Sequence, residues 1–279
     1  MVEKFLFERG STSSPNRQPI FNCLTAGLGH PLIHLGYAYE LNSREVAMEA
    51  LGLAATCYNP TLAKLFENKP VPTYTTNNIF EVFARVQADK RLDHAFDNSE
   101  DKLDHLWTDP VLSSILLEHW SAWKITDPTK DFAQSQELAV ALHTSSASSV
   151  GGHGYDFLLV HLLTTSHAVR ILIPFLEGQH HLPLVREWLL IALSIYITQN
   201  RPVINRAFVT DYDTQGRGWD FVTKAALESP HRFDAHFVKG CRAMLEAERT
   251  WGEEDGYWLK GAVKFADEFS GWVFGEDNS

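Results

Sequence analysis

The apolar positions of this chain fall into runs with helical patterning, separated by short polar or proline-containing breaks. Strand signals are few and short. A helix is expected to begin near Leu24 or Pro31 and to run through His30-Pro31-Leu32-Ile33-His34. Asn42-Ser43 then offers a cap, with Glu45 in the following turn, before an alanine-rich run over residues 46–57. Pro60 and Pro70-Val71-Pro72 are expected to break the chain. Residues 80–86, 111–124 and 135–142 carry further helical patterns, and the charged stretch 88–104 reads as a solvated connection or helix exterior. Gly151-Gly152-His153-Gly154 marks a turn. Asp156 is a cap candidate for an apolar helix through Ile173, which Pro174 kinks or ends. Residues 184–199, 219–228, 236–249 and 257–274 complete the set, with Arg201-Pro202 closing the first of these. The expectation is an all-α fold: a single multi-helix domain over residues 21–279 with a buried histidine-lined pocket. Residues 1–20, with the polar stretch 11–18 around Pro15, are expected to be a flexible lead-in.

Bulk properties narrow the function. The 279 residues are 44% hydrophobic and 21% charged, as in ordinary globular proteins with a substantial core. A formal charge of -11 leaves no basic footprint for nucleic acid or an anionic membrane. Cys23, Cys57 and Cys241 lie far apart and form no CxxC pair, so a disulfide framework is not expected and an intracellular, cytoplasmic setting is. The first ten residues lack the apolar core of a signal peptide. Asp156, His161, His167 and Arg170 interrupt the most hydrophobic stretch, residues 155–176, which therefore reads as buried rather than membrane-spanning. Eight Trp and seventeen Phe imply large apolar surfaces, around the core or around a pocket for an aromatic ligand.

The chemistry-bearing residues are histidines. On a helix, His30 and His34 stand about one turn apart, close enough to share a metal. Pro31 occupies the place where a zinc protease carries its glutamate, so that motif is absent, and surface histidines remain the alternative. His161, set in an apolar run, needs a partner when buried: either a hydrogen bond to a carbonyl or a metal. His236 and Lys239 share a helix face. That lysine snorkels, pairs with a carboxylate, or ligates a metal as a neutral or carboxylated amine. His153, beside the glycines, closes a site by loop placement or faces solvent. Glu118 and Glu137 are further acid candidates with solvated faces as the alternative reading. No GxGxxG after a strand, no GxxxxGK[ST] and no GxSxG is present, and His143-Thr144-Ser145 and Cys57 show no triad order.

Three ordered blocks resemble the questin oxidase-like family of fungi and bacteria. They are His30-Pro31-Leu32-Ile33-His34-Leu35-Gly36-Tyr37-Ala38-Tyr39-Glu40, Tyr155-Asp156-Phe157-Leu158-Leu159-Val160-His161, and Asp234-Ala235-His236-Phe237-Val238-Lys239-Gly240-Cys241-Arg242-Ala243. The resemblance covers roughly residues 21–243. It implies oxidation of aromatic polyketides, notably anthraquinones, with ring opening by oxygen insertion. Members are described as Baeyer–Villiger-type oxidases using NADPH, and a related ring-cleaving member is an α-helical non-haem iron dioxygenase with several histidine ligands and a carboxylated lysine. By resemblance, His30, His34, His161, His236 and Lys239 are the ligand candidates for Fe(II), with His153 as the reserve histidine and Lys260 as the reserve lysine. Family members are usually longer, so a shortened amino-terminal portion is expected.

The resemblance implies a small aromatic substrate and dioxygen as partners. The rival expectations are an NADPH-dependent monooxygenase without functional iron, an inactive protein that binds a hydrophobic ligand, and, more weakly, a metal hydrolase.

Overall fold

The computed structural model describes residues 2–7, 19–68, 70–97, 99–149 and 154–274. The fold is all-α: the described residues form fourteen α-helices and two strands of two residues each. The contacts of the domain fall into two compact units, Met1–Phe132 with Ala168–Thr198, and Ala133–His167 with Gln199–Ser279.

The first unit contains α1 (Val2–Phe7), α2 (His30–Glu40), α3 (Arg44–Thr56), α4 (Pro60–Glu67), α5 (Ile79–Ala88), α6 (Lys102–Thr108), α7 (Pro110–Ala122) and α10 (His181–Thr198). It also contains the start of α8 (Pro128–Ser149) and the end of α9 (Val160–Leu172). Short polar caps set the helix starts. Ser43 accepts from Val46 N, Asn59 from Thr61 N and Leu62 N, Asn78 from Phe80 N, and Asp109 from Val111 N and Leu112 N. Pro60 therefore opens α4 at its first turn, where its missing N–H costs nothing, rather than merely breaking the chain. From Leu184 to Thr198, α10 is buried on all sides except at Arg186, as befits a central helix. The stretch Gly178–Thr198 is long and apolar enough to cross a membrane by length and composition, but it is mostly buried in this fold. Trp107 Nε1 donates to its Ser194 Oγ at 3.0 Å, and Phe83 packs on its Tyr196 with ring centroids 4.9 Å apart.

Two sequence expectations change here. Within the stretch expected to be a lead-in, Val2–Phe7 is helical, Leu6 is buried, and Phe7 stacks on His180 at 3.8 Å. Residues 11–18 lie outside the described residues. The charged stretch 88–104 is not wholly solvated, since Leu92 and Phe96 are buried.

The second unit holds the rest of α8 and α9 with α11 (Ala207–Thr210), α12 (Trp219–Glu228), α13 (Ala235–Trp251) and α14 (Tyr257–Glu268). Two strands, β1 (Tyr155–Asp156) and β2 (Trp272–Val273), pair in parallel. β2 lies where helix was expected to continue through residue 274. Helices α12, α13 and α14 pack on one another, and small residues set how closely. A Cβ on Gly261 would stand 2.7 Å from Val140 Cγ1, and one on Gly240 would stand 3.0 Å from Phe265 Cε1. Hydrogen bonds from Trp251 Nε1 to Gln136 Oε1 (2.6 Å) and from the Tyr257 hydroxyl to Glu137 O (2.9 Å) fasten α8. The Glu137 carboxylate pairs with Arg206 at 2.9 Å.

Gly36 in α2 faces the α9 backbone, and a Cβ there would stand 2.7 Å from both Cα and Cβ of Ala168. Alanine normally strengthens a helix interior by about 1 kcal/mol. Here the clash forces backbone to move, so Gly36→Ala is expected to lower stability by about 1–3 kcal/mol in urea unfolding. An unchanged or raised midpoint would contradict this packing.

Candidate metal centre

The first unit supplies His30 and His34. Before α2 the backbone takes three successive left-handed residues, Gly27 (φ 58°), Leu28 (φ 57°) and Gly29 (φ 79°). Glycine tolerates that region and the flanking pair carries Leu28 through it. The turn brings the Gly27 carbonyl to His30 Nδ1 at 2.7 Å. A neutral His30 thereby donates from Nδ1, and Nε2 carries the lone pair. The same turn is anchored from below. The Thr25 hydroxyl donates to Glu187 Oε2 at 3.0 Å, and Gly29 N donates to Thr25 O at 2.9 Å. Glu187 is buried in α10, and burial pushes its pKa up to about 8, so it is a neutral acid at pH 7.

His34 lies one turn along the same helix, with its ring centroid 6.5 Å from that of His30. Its Nδ1 is 3.5 Å from Glu49 Oε2 on α3, at a partly exposed position. The HxxxH spacing thus gives the two rings different surroundings: His30 is tied to the turn, His34 to a carboxylate.

The second unit supplies His161, His236 and Lys239. Their placement starts at β1, where Tyr155 N donates to Gly271 O (3.1 Å) and Phe157 N to Val273 O (2.9 Å). Asp156 then turns the chain into α9, its Oδ1 accepting from Leu158 N and Leu159 N at 2.8 Å each. Asp156 was expected to cap the helix itself; it caps instead the turn that leads into α9, which starts at Val160. His161 sits in the first turn of α9, wholly buried, and its Nδ1 lies 2.9 Å from Phe157 O. As at His30, the carbonyl fixes the tautomer and leaves Nε2 as the lone-pair nitrogen.

His236 is the second residue of α13, whose start Asp234 caps through Oδ1, accepting from His236 N (2.9 Å) and Phe237 N (3.1 Å). The other oxygen of Asp234 accepts from Trp272 Nε1 at 2.6 Å, which ties β2 to the same point. The His161 and His236 rings come within 5.0 Å, and Phe157 packs against both, at 5.2 Å and 4.6 Å. Lys239, half-buried, follows one turn after His236 on the same face of α13. Burial lowers its pKa, opposed by the Asp234 charge. Lys260, the reserve lysine, donates instead to Thr210 O at 2.7 Å and fastens α14 to α11. His153, the reserve histidine, lies outside the described residues.

The remaining candidates are accounted for structurally. His143 is fully buried among Tyr155, Phe265 and Trp272, and desolvation lowers its pKa to about 3, so it stays neutral. Glu118 accepts from Thr73 and pairs with Arg91. The three cysteines are free thiols.

Sequence reasoning found the histidines but not what holds them. Asp234 had a visible signal as a capping residue directly before a helix. Glu187, an acid in the middle of an apolar helix, was also visible as an anomaly. The β1–β2 pairing had none, because two-residue strands carry no periodicity.

A neutral imidazole whose Nδ1–H is spent on a backbone carbonyl is the usual state of a metal-bound histidine. A donor set of such nitrogens suits iron, zinc, copper or nickel. The residues present therefore fit a first-row transition ion.

A family model described as questin oxidase-like matches residues 1–244. Among curated proteins, the Baeyer-Villiger oxidase AgnL3 of Paecilomyces divaricatus is 25% identical over 280 residues, covering 93% of this chain and 59% of that protein. The Baeyer-Villiger monooxygenase dmxR6 of Cryptosporiopsis sp. (strain 8999) is 22% identical over 262 residues, covering 83% of this chain and 55% of that protein. The chain thus spans little more than half the length of these relatives.

The Asp156 carboxyl is 3% exposed, and burial pushes its pKa up to about 6 against the lowering by the Leu159 and Leu158 N–H groups. Between about pH 4 and pH 6 the folded chain holds this proton while the unfolded chain has released it. Its contribution to stability is full below about pH 4 and is lost as pH rises through about 6. Asp156→Asn, which keeps the capping oxygen, is expected to remove about 2–3 kcal/mol of that decline. Urea unfolding of both proteins at pH 4 and pH 8 measures it, and parallel pH profiles would contradict the assignment.

Proposed function

The chain belongs to the questin oxidase-like family, and we propose that it is an oxygenase that inserts oxygen into an anthraquinone-like aromatic polyketide and opens the ring. The observation that carries this reading is the His161–His236 pair, with the His161 tautomer set by the Phe157 carbonyl. We propose that Fe(II) is bound by His161 and His236. His34, engaged with Glu49, is left out of the set. When bound, iron supplies the redox capacity that dioxygen needs to react with a closed-shell aromatic.

Lys239 is proposed as a further oxygen ligand after carboxylation. Its neutral amine attacks the carbon of carbon dioxide, an N–C bond forms, and one proton leaves. The lowered pKa of Lys239 raises the fraction of amine able to react, and its place one turn from His236 puts the product on the ligand face of α13. Phe157 and Trp272 flank His236, at 4.6 Å and 6.2 Å, and offer flat apolar surfaces for an aromatic substrate.

A second reading is favoured by the names of the curated relatives, both of which are Baeyer-Villiger enzymes. In it the chain is an NADPH-dependent monooxygenase. When only one oxygen atom enters the product, the other leaves as water and an external donor must supply two electrons. Dioxygenation needs no such donor.

Stoichiometry separates the two. Protein prepared without oxygen, loaded with Fe(II) and supplied with an anthraquinone already reduced to its hydroquinone, is expected to consume oxygen without consuming NADPH. His161→Ala and His236→Ala are each expected to cut bound iron and turnover at least tenfold while keeping the helical circular dichroism. Metal-stripped protein that turns over with one NADPH per product would select the second reading and overturn the iron site.

A further inference from the structure

Between Leu184 and Leu193, α10 is apolar apart from two neighbours, the buried acid Glu187 and Arg186. The Arg186 guanidinium donates from Nη1 to Trp120 O and from Nη2 to Trp123 O, each at 2.6 Å. These carbonyls lie at the C-terminal end of α7. In return, the Trp120 indole N–H donates to Arg186 O at 2.9 Å. The side chain is therefore locked by a reciprocal pair of bonds, and its remaining N–H donors have a fixed direction. A helix C-terminus offers only about half a negative charge. No carboxylate among the described residues pairs with this guanidinium. Its pKa falls to about 10, with burial as the cause.

Beside it lies a cavity of about 300 Å³ whose walls include Phe66, Trp120, Pro72 and Pro183, with Ser121 and Arg186 as its polar groups. The Phe66 and Trp120 rings meet edge to face, with centroids 6.0 Å apart. The Ser121 hydroxyl is buried and has no hydrogen-bond partner among the described residues. A buried hydroxyl without a partner is costly, and a cation without a counter-ion costs more. Both costs fall on one small aromatic cavity. All of these residues belong to the first unit, and none is in the metal set.

We propose that this cavity is a binding site for a small planar aromatic carboxylate. One face of the carboxylate meets the Arg186 fork and the Ser121 hydroxyl, and the ring lies between Trp120, Phe66 and the prolines. The carboxylate supplies the missing counter-charge in a planar form that matches guanidinium geometry. The volume, at the lower end for small-molecule sites, suits one or two fused rings and excludes a folded peptide.

The probe is 2-naphthoate, titrated by calorimetry into the full chain, with 2-naphthalenemethanol as its uncharged counterpart. The acid is expected to bind one to one, and the alcohol at least tenfold more weakly. Arg186→Lys keeps the charge but loses the fork, and should weaken the acid at least tenfold. Because Arg186 also fastens α7, a second variant avoids it: Leu182→Trp, at a partly exposed position on the cavity rim, fills the space. That variant should lose binding with its melting temperature unchanged. No binding at millimolar 2-naphthoate, equal binding of acid and alcohol, or binding that Leu182→Trp leaves intact would overturn the proposal.

Discussion

A neutral imidazole has one N–H to donate, and where it donates decides what the other nitrogen can do. At His30 and His161 the donation goes to a backbone carbonyl three or four residues earlier, at 2.7 Å and 2.9 Å. Each ring is then fixed in one tautomer with Nε2 as the lone-pair nitrogen. Neither arrangement comes from a regular helix. The His30 bond needs the left-handed run from Gly27 to Gly29, and the His161 bond needs the irregular turn after β1. The folding of two short non-helical segments therefore sets the chemistry available in an otherwise helical protein.

Those segments are held by polar groups rather than by apolar packing alone. In the first unit the neutral acid Glu187 takes the Thr25 hydroxyl and so steadies the turn before His30. In the second, Asp156 accepts the N–H groups of the turn before α9, while Asp234 caps α13 and holds Trp272. Close helix contacts at Gly36 and Gly240 leave little room for these elements to shift. Burying such groups is costly unless each finds a partner, so their partners are as much a part of the site as the histidines.

Much of this was legible in the sequence because its signals are local. Ser43 and Glu45 announced α3, and the run from Trp219 to Glu228 showed its helix with the right bounds. The three histidine blocks stood out through residue type and spacing. What stayed hidden depends on residues far apart in the chain. The pairing of Tyr155 with Trp272 spans more than a hundred residues and involves only two per strand. The Glu49 partner of His34 and the Thr210 partner of Lys260 follow from helix packing, which spacing does not encode. Pro60 was legible as a boundary but not as a beginning, because proline marks both the end of one segment and the first turn of the next.

The central claim is that the carbonyl-fixed histidines exist to hold a redox-active ion. Crystals of the Fe(II)-loaded chain, grown without oxygen and measured on both sides of the iron absorption edge, test it directly. A single strong anomalous peak is predicted within coordination distance of His161 and His236. A peak elsewhere, or none in iron-soaked crystals, would contradict it.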